Sequence, residues 1–293
     1  MFRDLLDKFV DREPELGLFR RMLRGETHQQ LLLILDGPEK GKTWFIWRLF
    51  QECQDRGVPV VHLDFDQRRS GLAGDWLSVA DEVCTALGDR HTPHTRDCAA
   101  RLAGLAPLTD LLAGGPTPGV SFGQSNDFTG ADIRNIAGGN IVQIRNLLAG
   151  ALTPAQAAQQ QAGLSRALRD DLAALDRAVL LIDTFERAPD DTRVWLERWV
   201  FRSLGRELPQ TLVVIAGRPE CRPFFQQPRP WSHLIAPLDC LSPFNDQEIV
   251  TYFERCGLAV SYHELSLLAI ARHSPGRMAE LGNWLAQTRG GAR

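Results

Sequence analysis

Four stretches of this chain are apolar with almost no alternation: Leu31–Leu35, Val58–Leu63, Ala178–Ile182 and Thr211–Ala216. A strand with one wet face alternates apolar and polar residues. A strand covered on both faces does not, and that situation belongs to parallel sheets sandwiched by helices. Leu234–Leu238 is a weaker fifth run, and helical stretches fall between the runs at roughly 43–56, 75–88, 155–175 and 190–204. This alternation predicts an α/β fold with a doubly wound, mostly parallel sheet. After about Leu241 the pattern changes to three short amphipathic segments, near 245–256, 262–273 and 277–288. The expected organisation is a sheet domain over 1–240 and a small all-helical subdomain over 241–293.

The first run leads directly into Asp36, Gly37, Pro38, Glu39, Lys40, Gly41, Lys42 and Thr43, and then into a helix opening with Trp44. Strand, glycine-containing loop and helix in this order are the context in which Gly-Lys-Thr has physical meaning as a phosphate-binding loop. The segment from Gly37 through Trp44 would wrap a triphosphate with backbone N–H groups and the positive end of the helix dipole. Gly41 keeps a side chain out of the closest backbone approach. The Lys42 ammonium would meet the β- and γ-phosphates, and the Thr43 hydroxyl would ligate Mg²⁺. ATP with Mg²⁺ is therefore the expected ligand. Asp36 stands where such loops begin with glycine. Either Gly37 takes the turn in a loop one residue shorter, or Asp36 replaces the glycine and brings a carboxylate to the loop's mouth. There it would bond a loop amide or weaken phosphate binding.

Such a loop needs acidic partners, and the third apolar run ends in Asp183, with Glu186 three residues on. Side chains leaving the carboxyl edge of a parallel sheet lie where ligands bind. Asp183 would hold Mg²⁺, and Glu186 would orient or deprotonate an attacking water. Capping a turn, or pairing with a surface arginine, is the other role open to Glu186. The fourth run ends in Gly217 and Arg218. A guanidinium there would read the γ-phosphate, or would pair with Asp183 or Glu186 in a resting site.

Residues 89–154 are rich in Gly, Pro, Asn and Thr, and an eight-residue rhythm runs through Phe128–Ile144. Short β-hairpins or a few solenoid coils would fit this β-prone insert, and so would a loop docked on the core.

Phe9, Val10, Asp11, Arg12, Glu13, Pro14, Glu15 and Leu16 resemble the F-V-G-R-E-x-E-L box of the STAND, NACHT-like and origin-recognition-type AAA+ ATPases. The resemblance extends to Lys42 and Thr43, to Asp183 with its acid at plus three, to Arg218, and to Ser274–Arg277 in the place of the lid turn. It implies that Val10, Asp11 and Arg12 lie beside the adenine, with Asp11 where glycine is usual. The bland alternative for the box is a capped surface helix with Asp11 as its N-cap. The resemblance also implies a switch ATPase with a helical lid, working with protein partners or by self-association. Arg277 would be a second sensor or a solvated surface residue. The effector domains and sensor repeats of those families have no counterpart here, so a minimal ATPase or a chain that has lost its repeats is expected.

The net charge of -3 and a pI near 6.2 provide no basic field to call for nucleic acid. The six cysteines form no C-x-x-C pair, which points to reduced structural thiols. No apolar run is long enough to span a bilayer, and the N-terminus lacks the apolar core of a signal peptide. A cytoplasmic location is expected. Two other functions share the same core: a nucleotide-binding scaffold with little or no turnover, and a DNA-associated ATPase of the origin-recognition type.

Overall fold

The computed structural model describes residues 12–66, 74–112, 152–238 and 240–257, together with 281 and 287. Five strands form one sheet: β1 (Leu31–Leu35), β2 (Val60–Asp64), β3 (Ala178–Asp183), β4 (Thr211–Gly217) and β5 (Ile235–Leu238), in the spatial order β2-β3-β4-β1-β5. β1 pairs in parallel with both β4 and β5, and β2 pairs in parallel with β3. Every residue of β1, β3 and β4 is buried, as continuous apolar runs require. Pro237, which cannot donate to a ladder, lies on the edge strand β5.

The chain divides into two compact units. The first comprises Met1–Ser70, Val179–Arg187 and Leu212–Arg293. Here α1 (Glu13–Leu23) and α2 (Lys42–Asp55) cover one face of the sheet. Leu16, Phe19 and Met22 of α1 and Phe45, Ile46 and Leu49 of α2 join Leu32, Ile34, Leu181 and Val214 in one core. Each such side chain contributes roughly 1.5–3 kcal/mol by leaving water. Glu52 of α2, itself buried, accepts Arg20 Nε at 2.6 Å and Arg56 Nη2 at 2.7 Å. Burial pushes the Glu52 carboxyl up, but the two arginines more than offset this and hold it below its ordinary value. The Arg20–Glu52 pair ties α1 to α2. Two more helices belong to this unit, α7 (Arg222–Gln226) and α8 (Asp246–Arg255). Asn245 opens α8 with a capping box, accepting the Glu248 N–H at 2.9 Å while Glu248 Oε2 accepts the Asn245 N–H at 2.7 Å.

In the second unit, Gly71–Ala178 with Ala188–Thr211, the described residues include the helices α3 (Trp76–Leu87), α4 (Pro93–Leu112), α5 (Pro154–Ala173) and α6 (Asp190–Trp199). Leu77, Leu102 and Leu164 form its apolar centre. The start of α4 is held by a side chain from α5. Buried Asp171 accepts the N–H groups of His94 (3.0 Å) and Thr95 (2.8 Å) and the Thr95 hydroxyl (2.6 Å). A carboxylate satisfies helix N-terminal amides and meets the positive end of the dipole.

All five expected strands occur, Leu31–Leu35 and Thr211 at the anticipated positions, and β2 starting two residues later than the run that predicts it. The β-prone assignment of 89–154 is corrected at both ends. Asp89–His91 is a 3₁₀ turn, Pro93–Leu112 is α4, and Pro154 begins α5. Ala, Leu and Arg dominate 96–106, and Pro93 sits at the helix start, where its missing N–H costs nothing. The Phe128–Ile144 rhythm, Val10, Asp11 and Ser274–Arg277 lie outside the described residues. Among the described residues no helix is long and apolar enough to cross a membrane.

Candidate functional site

The carboxyl ends of the strands gather the predicted residues. Leu35 is in register with Gly217, and Asp64 with Asp183, so the loops after β1, β2, β3 and β4 leave the same edge of the sheet.

The loop between β1 and α2 is built from two left-handed residues, Glu39 (φ 59°) and Gly41 (φ 84°). Gly41 is the N-cap of α2, with no side-chain cap. A side chain at Gly41 would be strained in this conformation. Of the two readings of the loop's start, the structure follows the second. Asp36 continues the strand, its N–H donating to Gly217 O at 3.3 Å, and its Oδ1 accepts the Gly37 N–H at 2.7 Å. Its Oδ2 accepts the N–H of Leu241 at 3.1 Å. Gly37 is not among the left-handed residues.

Lys42 folds back over the loop, with Nζ donating to the carbonyls of Asp36 (2.7 Å) and Gly37 (2.5 Å). Burial pulls the ammonium below its ordinary value. The carboxylates of Asp36, Glu186 and Asp183 work against that shift, and Arg218 adds to it. Lys42, Asp36, Asp183, Glu186 and Arg218 thus share one electrostatic environment. Thr43 follows Lys42 in the first turn of α2, and Trp44 packs beside Tyr252 of α8, the ring centroids 6.4 Å apart.

Asp183 is buried at the end of β3, and its Oδ1 accepts the Thr184 N–H at 2.8 Å. Thr184 has φ 57°, an outlier for a β-branched residue, at a cost of about 1–3 kcal/mol. Its hydroxyl donates to Asp64 Oδ1 at 3.0 Å, which helps to hold the strained turn. Asp64 is the residue that sequence reasoning passed over. It follows directly on the second apolar run, as Asp183 follows the third, and that acid at the end of a buried strand was the available signal.

Phe185, fully buried, anchors the next turn between Phe224 and Phe225, with centroids 5.7 and 5.5 Å away. It lies over Gly217, where an added Cβ would come within 3.5 Å of the Phe185 Cβ and 3.3 Å of Leu35. That close approach sets Glu186 beside Arg218. Glu186 Oε1 is 3.1 Å from Arg218 Nε, and Oε2 accepts the Arg218 N–H at 3.2 Å. The resting pairing anticipated for Arg218 is the geometry observed.

Arg12, in a left-handed conformation (φ 82°), occupies the N-cap position of α1. Its guanidinium donates from Nη2 to Lys40 O at 3.2 Å and from Nη1 to Ser242 O, and it lies 4.6 Å from the centre of the Phe244 ring. Arg12 therefore bridges the phosphate-type loop and the segment after β5.

No family model matches the chain, and no curated protein matches it. Among solved structures, it is similar to the Walker-type ATPase PABY2304 of Pyrococcus abyssi, with 13% identity and a TM-score of 0.49 over 97% of this chain and 69% of that one. It is also similar to Cdc6p of Pyrobaculum aerophilum, with 13% identity and a TM-score of 0.37 over 84% of this chain. The chain spans about half of that protein (49%). Both likenesses are too weak to speak for a shared activity.

Proposed function

We propose that this chain binds ATP with Mg²⁺ and hydrolyses it slowly, as a regulatory switch that acts with protein partners or by self-association. The observation that carries this reading is Lys42, half-buried directly after the left-handed Gly41, its ammonium on the loop carbonyls and within electrostatic reach of the carboxylates of Asp183 and Glu186. A helix start, a lysine and a carboxylate at a strand end are the complementary halves of a site for a polyphosphate and its cation.

Lys42 turns from the loop carbonyls to the phosphates, and the amides of Gly41 through Trp44 donate to them. Thr43 and Asp183 suit Mg²⁺, which takes one or two protein oxygens with the phosphates and would supply charge neutralisation at the β- and γ-oxygens. Glu186 accepts a proton from a water whose oxygen attacks the γ-phosphorus; the bond to the bridging oxygen breaks and ADP leaves. Arg218 exchanges its contact with Glu186 for the γ-phosphate, so recognition of the phosphate and release of the base are one movement.

A pure scaffold reading is favoured by one observation: Glu186 is held at both oxygens by Arg218. Titration calorimetry with MgATP and MgADP, and turnover of wild type, Lys42→Ala and Glu186→Gln, decide between the two. The switch reading expects Lys42→Ala to weaken binding at least about tenfold, and Glu186→Gln to bind normally with turnover about 10²-fold lower. Wild type that binds without turnover is a scaffold. Wild type with no affinity for either nucleotide refutes both.

A further inference from the structure

The carboxylate at Asp36 looks at first like damage to a phosphate loop, because it puts a negative charge where negative phosphates are to sit. Its two oxygens have separate engagements, however. Oδ1 holds the Gly37 amide within the loop, and Oδ2 holds the Leu241 amide, 205 residues away in sequence. The backbone of Asp36 is fixed by its N–H bond to Gly217 O, so its side chain is the part that can respond.

The segment Leu241–Phe244 is clamped at three successive groups. Asp36 takes the Leu241 N–H, Glu15 Oε1 takes the Ser242 N–H at 2.9 Å, and Arg12 donates to the Ser242 carbonyl. Two of these three clamps also grip the loop: Asp36 at Gly37, and Arg12 at Lys40 O. Leu241 itself is buried in the main core, while Phe244 belongs with Ile249, Tyr252 and Phe253 of α8. The capping box at Asn245 follows at once, so a displacement of 241–244 is passed directly to α8.

We infer that Asp36 is a positioning residue that makes occupancy of the phosphate loop and docking of the 241–244 segment mutually antagonistic. This deepens the nucleotide reading above and rests on it. A phosphate competes with Oδ1 for the Gly37 amide and repels the carboxylate. The same entry draws Lys42 off the carbonyls of Asp36 and Gly37, which frees the loop's first residues to turn. Asp36 swings away, the Leu241 amide loses its acceptor, and the segment leading into α8 is released. By linkage, anything that holds 241–244 in place weakens nucleotide binding by the same factor. The aspartate is then the means by which the loop reports its state.

Amide hydrogen exchange on the full chain, with and without saturating MgATP or MgADP, tests this directly. In wild type, Leu241 is expected to be protected without nucleotide and to exchange about tenfold faster with it, the size of a coupling near 1.4 kcal/mol. Asp36→Gly is expected to exchange fast at Leu241 in both conditions and to bind nucleotide about tenfold more tightly, by the same arithmetic. Asp36→Asn keeps the shape without the charge, so it tests the electrostatic part should the glycine variant not fold; tighter binding than wild type is expected. Nucleotide binding to wild type with unchanged exchange at Leu241 overturns the coupling alone. So does an Asp36→Gly protein that retains Leu241 protection, or an Asp36→Asn protein that binds no more tightly. Absence of nucleotide binding to every variant overturns the function proposed above, and the coupling with it.

Discussion

Replacing Arg218 with alanine separates a resting ion pair from a phosphate sensor, because the two roles differ greatly in magnitude. In the structure Arg218 Nε is 3.1 Å from Glu186 Oε1, with side-chain exposures of 46% and 18%. A pair this open to solvent is worth at most about 1 kcal/mol, screened by salt. The second contact, from the Arg218 backbone N–H to Glu186 Oε2 at 3.2 Å, survives in the alanine variant and keeps Glu186 near its place. Arg218→Ala should therefore lower the melting temperature by only about 1–4 °C. A donor aimed at charge that develops in the transition state is worth about 10²–10³ in rate, or roughly 2.7–4 kcal/mol. Single-turnover hydrolysis of MgATP should fall by that factor while the nucleotide affinity changes far less. Arg218→Lys should recover part of the loss, since it keeps the charge but not the fork. A rate within about threefold of wild type would sink the sensor role, because a lost transition-state donor costs more than that. A faster rate would also refute it and would make Arg218 a brake on Glu186.

Two further outcomes follow from the geometry. Asp171→Ala strands two amides at the start of α4 and the buried Thr95 hydroxyl; it should cost about 3–4 kcal/mol in denaturant unfolding, and Asp171→Asn about half, whereas a loss under about 1 kcal/mol would show that α4 does not depend on this cap. Burial pushes the thiols of Cys53 and Cys84 up to about 12, so both stay protonated through neutral and moderately alkaline pH, while Cys240 is exposed. Alkylation of the native protein at pH 8, followed by peptide mass mapping, should label Cys240 first and leave Cys53 and Cys84 until unfolding; labelling of Cys53 as fast as Cys240 would contradict the burial argument.

The sequence by itself determined the elements whose causes are local. Four apolar runs that do not alternate point to strands covered on both faces and are β1 to β4 in the structure, while the weaker fifth run is the half-exposed edge strand β5. Gly41 before Lys42 marks a place where a side chain would crowd the backbone, and the structure adds that it is left-handed, with φ 84°. Asp183 directly after a buried strand had to lie at the sheet's edge. Residues 89–112 form a 3₁₀ turn and α4, not part of a β-prone insert, because their own composition favours a helix whatever the glycine-rich run after them does.

Tertiary structure alone decided the partnerships. The sheet order β2-β3-β4-β1-β5 departs from chain order, and it brings Gly217 beside Leu35 and Asp64 beside Asp183. The contacts of Asp36 with Leu241, of Arg12 with Lys40 and Ser242, and of Arg218 with Glu186 likewise join residues far apart in the chain. Periodicity and backbone preference act over a few residues and can be read along the chain. A hydrogen bond across 205 positions depends on how every intervening strand and helix packs, and no local pattern records it.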